Sequence, residues 1–165
     1  MQNFDTCLDF LRKLDWPRDQ FCVAGSAALH LLSKKASYRG YEALLNREPK
    51  DIDVIVIGDA LRRALDISDA THSQLERGVL LRFHFLDNKS DCLDMASAWP
   101  VGPAVKTTND MRDITHEVDG IRVLREEFIL ELKQKLNRVK DHDDIQQIGK
   151  ALPHKVSLLP TLKKT

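Results

Sequence analysis

Phe4, Leu8, Leu11 and Leu14 recur at helical spacing with Asp5, Arg12 and Lys13 between them, which predicts an amphipathic helix over residues 4–14. Trp16-Pro17 ends it. Residues 20–23 read as a short strand, and Ala24-Gly25-Ser26 turns from it into a helix-forming run at 27–32. Residues 34–50 are polar, basic and irregular, a connection of a length that is usually functional or disordered. The β-branched run 54–57 predicts a buried strand stopped by Gly58, followed by a helix at 59–66. Residues 79–86 predict a second strand, Asn88 and Lys89 a turn, and 92–95 a third strand paired with the second.

Residues 97–113 hold Pro and Gly and read as a connection. Asp119-Gly120 between 114–118 and 121–124 is a strong hairpin signal. Ile129, Leu132, Leu136 and Val139 then recur at helical period over 125–139, with a further helical stretch at 143–152 and a Lys-rich end that reads as frayed. The elements predict an α+β fold, a small mixed or antiparallel sheet flanked by helices with a C-terminal helical segment. No internal repeat marks a second unit. One domain over 1–165 is expected, its core about 20–124, C-terminal helices about 125–152 and a tail at 153–165.

Composition narrows the classes. Lys plus Arg equals Asp plus Glu at 25 each, so attraction to a polyanion is not a whole-molecule property and would need a local basic patch. No apolar run approaches the ~20 residues of a membrane span, and the N-terminus lacks a secretory pattern, so a cytoplasmic, non-membrane protein is expected. Cys7, Cys22 and Cys92 are scattered in apolar contexts and read as buried thiols. The six histidines show no ligand spacing, and Ser26 and Ser97 lack a local base signal for nucleophilic catalysis.

The chemistry gathers around Lys50-Asp51-Ile52-Asp53. In a strand residues i and i+2 share a face, so Asp51 and Asp53 converge while Ile52 turns away. Two such carboxylates repel unless a cation sits between them, and oxygen donors suit a hard ion such as Mg²⁺. Asp94, flanked by Leu93 and Met95, is the third candidate; Asp91 is its rival after the polar turn. Three carboxylates on adjacent strands can hold two Mg²⁺ ions, though their spacing is equally that of one structural cation. Gly25-Ser26 after a strand and before a helix permits close approach of a phosphate, and also serves as a plain cap. Lys133, Asn137, Lys140 and Asp144 are spaced 4, 3 and 4 apart and share one stripe beside the core face, either facing a triphosphate or forming a solvated face.

Gly25-Ser26, Asp51-Ile52-Asp53 and Asp94, in that order, resemble the pattern of the nucleotidyltransferase superfamily with the DNA polymerase β-like fold. The nearest branch by resemblance is the abortive-infection (AbiEii-type) toxin and related bacterial enzymes. Arg47 stands four residues before the first Asp, and Lys133, Arg138, Lys140-Asp141 and Asp144-Ile145 match that branch's terminal helix. The chain departs from it in the long segment between Ser26 and Asp51 and in Pro49, where a small hydroxyl residue is usual.

The resemblance implies a Mg²⁺-dependent transfer of a nucleoside monophosphate from an NTP to an acceptor, with pyrophosphate released. It assigns Asp51, Asp53 and Asp94 to metal and catalysis, and Gly25, Ser26, Arg47, Lys133 and Lys140 to the nucleotide. The acceptor stays open among RNA, protein and a small molecule. An antitoxin-like protein partner is implied by resemblance only. The alternative is a nucleotidyltransferase-like fold that has lost catalysis and serves as a binding or regulatory subunit.

Overall fold

The computed structural model describes residues 2–34, 49, 51–67, 70–75, 78–84, 92–97 and 105–151. In chain order these form α1 (Gln2–Lys13), β1 (Phe21–Ala24), α2 (Gly25–Ser33), β2 (Asp51–Val56), α3 (Gly58–Leu65), β3 (Ala70–Leu75) and β4 (Gly78–His84). There follow β5 (Cys92–Ala96), α4 (Thr108–Asp113), β6 (Thr115–Val118), β7 (Ile121–Leu124), α5 (Glu126–Leu136) and α6 (His142–Ala151). Short 3-10 turns occupy Arg18–Gln20 and Val139–Asp141. The architecture is α+β around one mixed sheet of order β3-β4-β5-β2-β1-β7-β6.

Local chemistry explains the first elements. Pro17 cannot continue α1, and Arg18 folds back to donate to the Leu11 carbonyl at 3.0 Å and to that of Arg12, satisfying two orphan carbonyls of the helix end. β1 is buried along its whole length, as a strand flanked by others and covered on both faces requires. Helix α2 is buried from Ala27 to Ser33 and packs on β1, β2 and β7 and against α5. Phe21, Leu11, Leu32, Ile52, Leu93, Met95, Met111 and Ile129 are fully buried, each such side chain contributing about 1.5–3 kcal/mol of transfer free energy. The continuous core runs from Phe4 to Ile148, drawing on helices and sheet alike.

Register places the site. β2 pairs antiparallel to β1 and parallel to β5, and the Cα partners run Ala24↔Asp53 and Asp53↔Asp94. Ala24, Asp53 and Asp94 thus form one row across the middle of the sheet, and Gly25 begins α2 at the end of that row. The 119–120 hairpin forms as expected, with Asp119 at φ 50° and Gly120 at φ 82°, the left-handed pair a two-residue turn needs.

Three expectations change. β3 was not expected: its Thr-His-Ser-Gln stretch has no apolar alternation, and it lies at a sheet edge with one pairing partner, β4. α4 lies inside the expected connection 97–113. It is set by a capping box in which Asp110 N–H donates to Thr107 Oγ1 at 3.1 Å and Thr107 N–H donates to the Asp110 carboxylate. The helix expected over 125–139 stops at Leu136, because Asn137 adopts the left-handed conformation and donates its N–H to Lys133 O at 2.8 Å. Val139, expected on the apolar face, is 86% exposed. Residues 85–86, the turn at 88–89, most of 34–50 and the tail from 152 lie outside the described residues.

Candidate active site

Asp51 and Asp53 lie on one face of β2, with Ile52 and Val54 turned into the core between and after them. Asp51 is exposed, Asp53 is half-buried and Asp94 is 7% exposed. Register partners on adjacent strands stand about 4.8 Å apart, so Asp53 and Asp94 face each other across the parallel β2–β5 pair. Burial, then the charges of Asp94 and Asp51, push the Asp53 carboxyl up to about 6, while Lys133 and Arg138 pull the other way. The carboxylates that the sequence singled out are therefore brought to one region and act on one another.

Gly25 meets this cluster directly. Its φ is +64°, and a Cβ placed on it would sit 2.9 Å from Asp53 Oδ2. Both the backbone conformation and the space demand glycine here. The Asp53 carboxylate thus packs against the first turn of α2, where Ser26 is exposed.

Lys133 reaches the same turn from α5. Its ammonium donates to Ser26 Oγ at 3.2 Å, and it pairs with Asp141 Oδ1 at 3.4 Å and with Asp144 Oδ2 at 3.1 Å. The residue is only 4% exposed, and Asp141 and Asp144 are as deeply buried. Arg138 clasps Asp141 from outside, donating from Nε at 2.6 Å and from Nη2 at 3.1 Å. Burial pushes the Asp141 carboxyl up, but the Arg138 hydrogen bonds and the charges of Lys133 and Arg138 outweigh it and hold that carboxyl below its ordinary range.

This geometry replaces the expected single stripe. The chain breaks at Asn137, so Lys133 and Asp144 meet across a turn between two helices rather than along one. Asn137 and Lys140 are exposed on that turn, outside the buried network. Arg138 and Asp141 belonged to the quoted terminal pattern without an assigned role, and Asp144 was expected only on the stripe; the Arg138/Asp141 spacing of three was the available signal for their pairing. Arg47 lies outside the described residues.

Oxygen donors on one sheet face, one of them held protonation-prone by its neighbours, are the chemistry of a hard divalent cation. Among the described residues no three His, Cys, Asp or Glu side chains stand at metal-ligand separation as they lie. No helix among the described residues is long and apolar enough to cross a membrane.

The comparison with solved structures decides the fold. The chain is similar to the solution structure of the antibiotic-resistance factor ANT(2'')-Ia, with a TM-score of 0.55. The alignment covers 99% of this chain and 88% of that one at 16% identity. The chain has the nucleotidyltransferase fold. No protein-family model matches the chain, and no curated protein matches it. The strand–Gly25-Ser26–helix turn and the β2 and β5 carboxylates lie side by side on the three central strands of the sheet.

Proposed function

We propose that the protein is a Mg²⁺-dependent nucleotidyltransferase that moves a nucleoside monophosphate from an NTP to a hydroxyl acceptor. The observation that carries the reading is the row Ala24–Asp53–Asp94, with Gly25 closed against Asp53 and Ser26 beside it. Asp51, Asp53 and Asp94 would hold Mg²⁺, which supplies charge neutralisation of the triphosphate and acidifies the attacking hydroxyl.

The acceptor oxygen attacks the α-phosphorus, a new P–O bond forms, the bond from the α-phosphorus to the bridging oxygen breaks, and pyrophosphate leaves. Asp94 takes the acceptor proton and passes it to solvent. Gly25 and the N–H groups that open α2 cradle the β- and γ-phosphates, with the Ser26 hydroxyl beside them. Lys133 donates to Ser26 Oγ from beneath and holds that hydroxyl in place at the cradle.

The Lys133, Arg138, Lys140-Asp141 and Asp144-Ile145 pattern supports the abortive-infection branch, and with it an antitoxin-like protein partner. RNA ends, protein side chains and small molecules are the acceptor classes to screen; the antibiotic-resistance enzyme of similar fold supports including small molecules. The test is thermal denaturation with each NTP, with Mg²⁺ and with a chelator, alongside pyrophosphate release over the three acceptor pools. The reading expects Mg²⁺-dependent stabilisation by NTP and release of pyrophosphate. Stabilisation without pyrophosphate from any pool would instead identify a binding subunit.

A further inference from the structure

Three cations surround the α5–α6 turn, and their surroundings differ. Lys133 carries three N–H donors, and three oxygens already face them: Ser26 Oγ, Asp141 Oδ1 and Asp144 Oδ2. Turning this ammonium onto a phosphate would take its charge from two buried carboxylates, Asp141 and Asp144. Lys140 is exposed, and among the described residues no contact fixes it in one orientation.

Arg138 differs from both. Asp141 takes two of its five N–H donors in a fork, which fixes the plane of the guanidinium. The remaining donors meet no acceptor among the described residues, and the side chain is 46% exposed. Asp141 also contacts Lys133, and Lys133 contacts Ser26, so the fixed guanidinium is tied by two shared contacts to the first turn of α2. Its charge also lies within electrostatic reach of Asp53.

We infer that Arg138 is the direct triphosphate ligand of this site, and that Lys133 is a positioning residue holding Ser26, Asp141 and Asp144. The inference rests on the nucleotidyltransferase reading and adds to it the group that recognises the β- and γ-phosphates. A planar guanidinium already oriented by a carboxylate presents paired donors to phosphate oxygens and loses little freedom on binding. The break at Asn137 sets Arg138 at the start of the 3-10 turn Val139–Asp141, where it pairs with Asp141 three residues on.

The experiment titrates the full chain, in Mg²⁺, with ATP and with AMP, in the parent, Arg138→Gln and Arg138→Lys. A charge-assisted bidentate contact corresponds to about 10- to 100-fold in affinity. Arg138→Gln is expected to weaken ATP by that factor and leave AMP unchanged. Arg138→Lys, which keeps the charge and loses the fork, is expected to lose part of the same discrimination, and it decides the matter should Arg138→Gln fail to fold. ATP affinity unchanged in Arg138→Lys and Arg138→Gln, or ATP and AMP weakened equally, overturns the inference while the nucleotidyltransferase reading stands. A folded parent that binds no NTP in Mg²⁺ overturns both.

Discussion

Replacing Asp53 by Asn should stabilise the metal-free protein, and the size of the effect follows from the site. The Asp53 carboxyl is pushed from 3.8 up to about 6 by burial and by Asp94 and Asp51. Each pH unit of displacement is worth about 1.4 kcal/mol, so the ionised carboxylate costs the fold up to about 3 kcal/mol at neutral pH. The folded value is raised, so the folded state holds its proton more tightly than the unfolded chain. The cost is therefore absent below pH 3.8, grows between 3.8 and about 6, and is complete above that. Asn has the same shape and no charge, so it fits beside Gly25 and removes the repulsion.

Urea denaturation of parent and Asp53→Asn in a chelator, at pH 4 and pH 7.5, measures the difference. The variant should be more stable by up to about 3 kcal/mol at the higher pH and nearly equal at the lower. Mg²⁺ at pH 7.5 should recover stability in the parent and little in the variant. A variant that is no more stable than the parent at pH 7.5 would refute the repulsion argument, and with it the claim that these carboxylates share one space.

Gly25→Ala should cost at least about 1–2 kcal/mol from the left-handed backbone alone, and should also weaken Mg²⁺-linked stabilisation, because the new methyl would meet Asp53 Oδ2; differential scanning calorimetry with and without Mg²⁺ reads both. Lys133→Met should lower the unfolding free energy by about 3–5 kcal/mol, since it leaves Asp144 buried without its cation and Asp141 with Arg138 alone; a loss under about 1 kcal/mol would refute the buried network. Asp141 is held below its ordinary range, so its stabilisation is present above that range and is lost as pH falls through it; Asp141→Asn should flatten the acid limb of a stability-against-pH curve. Leu132→Ala, on the core side of α5, should cost about 2–5 kcal/mol through cavity formation and leave NTP affinity of the folded protein intact.

The parts of the fold written in period and turn chemistry were legible. Asp119-Gly120 marked its hairpin, and the alternation of Asp51, Ile52, Asp53 and Val54 gave the face that carries the acids. Leu93 and Met95 around Asp94 marked β5 as a strand, and register then set Asp94 opposite Asp53. β3 was hidden because an edge strand need not alternate apolar residues, and α4 because its signal was a four-residue cap, Thr107 to Asp110. The break at Asn137 was hidden for a different reason. Leu136 and Val139 continue the helical period in sequence, but both stand in solvent, and a left-handed residue overrides the pattern. The partners of Lys133 depend on that break, so its burial could not be read from spacing along one helix.

The central claim is transfer of the α-phosphate. Incubation of the protein and Mg²⁺ with ATP labelled at the α-phosphate, or in parallel at the γ-phosphate, and with RNA, protein and small-molecule pools, tests it directly; the parallel set is repeated for the other NTPs and for Asp53→Asn. The account predicts that α-label passes to an acceptor, that γ-label leaves only as pyrophosphate, and that Asp53→Asn abolishes both. No α-label transfer from any NTP to any pool, or label that passes from the γ-position instead, would contradict it.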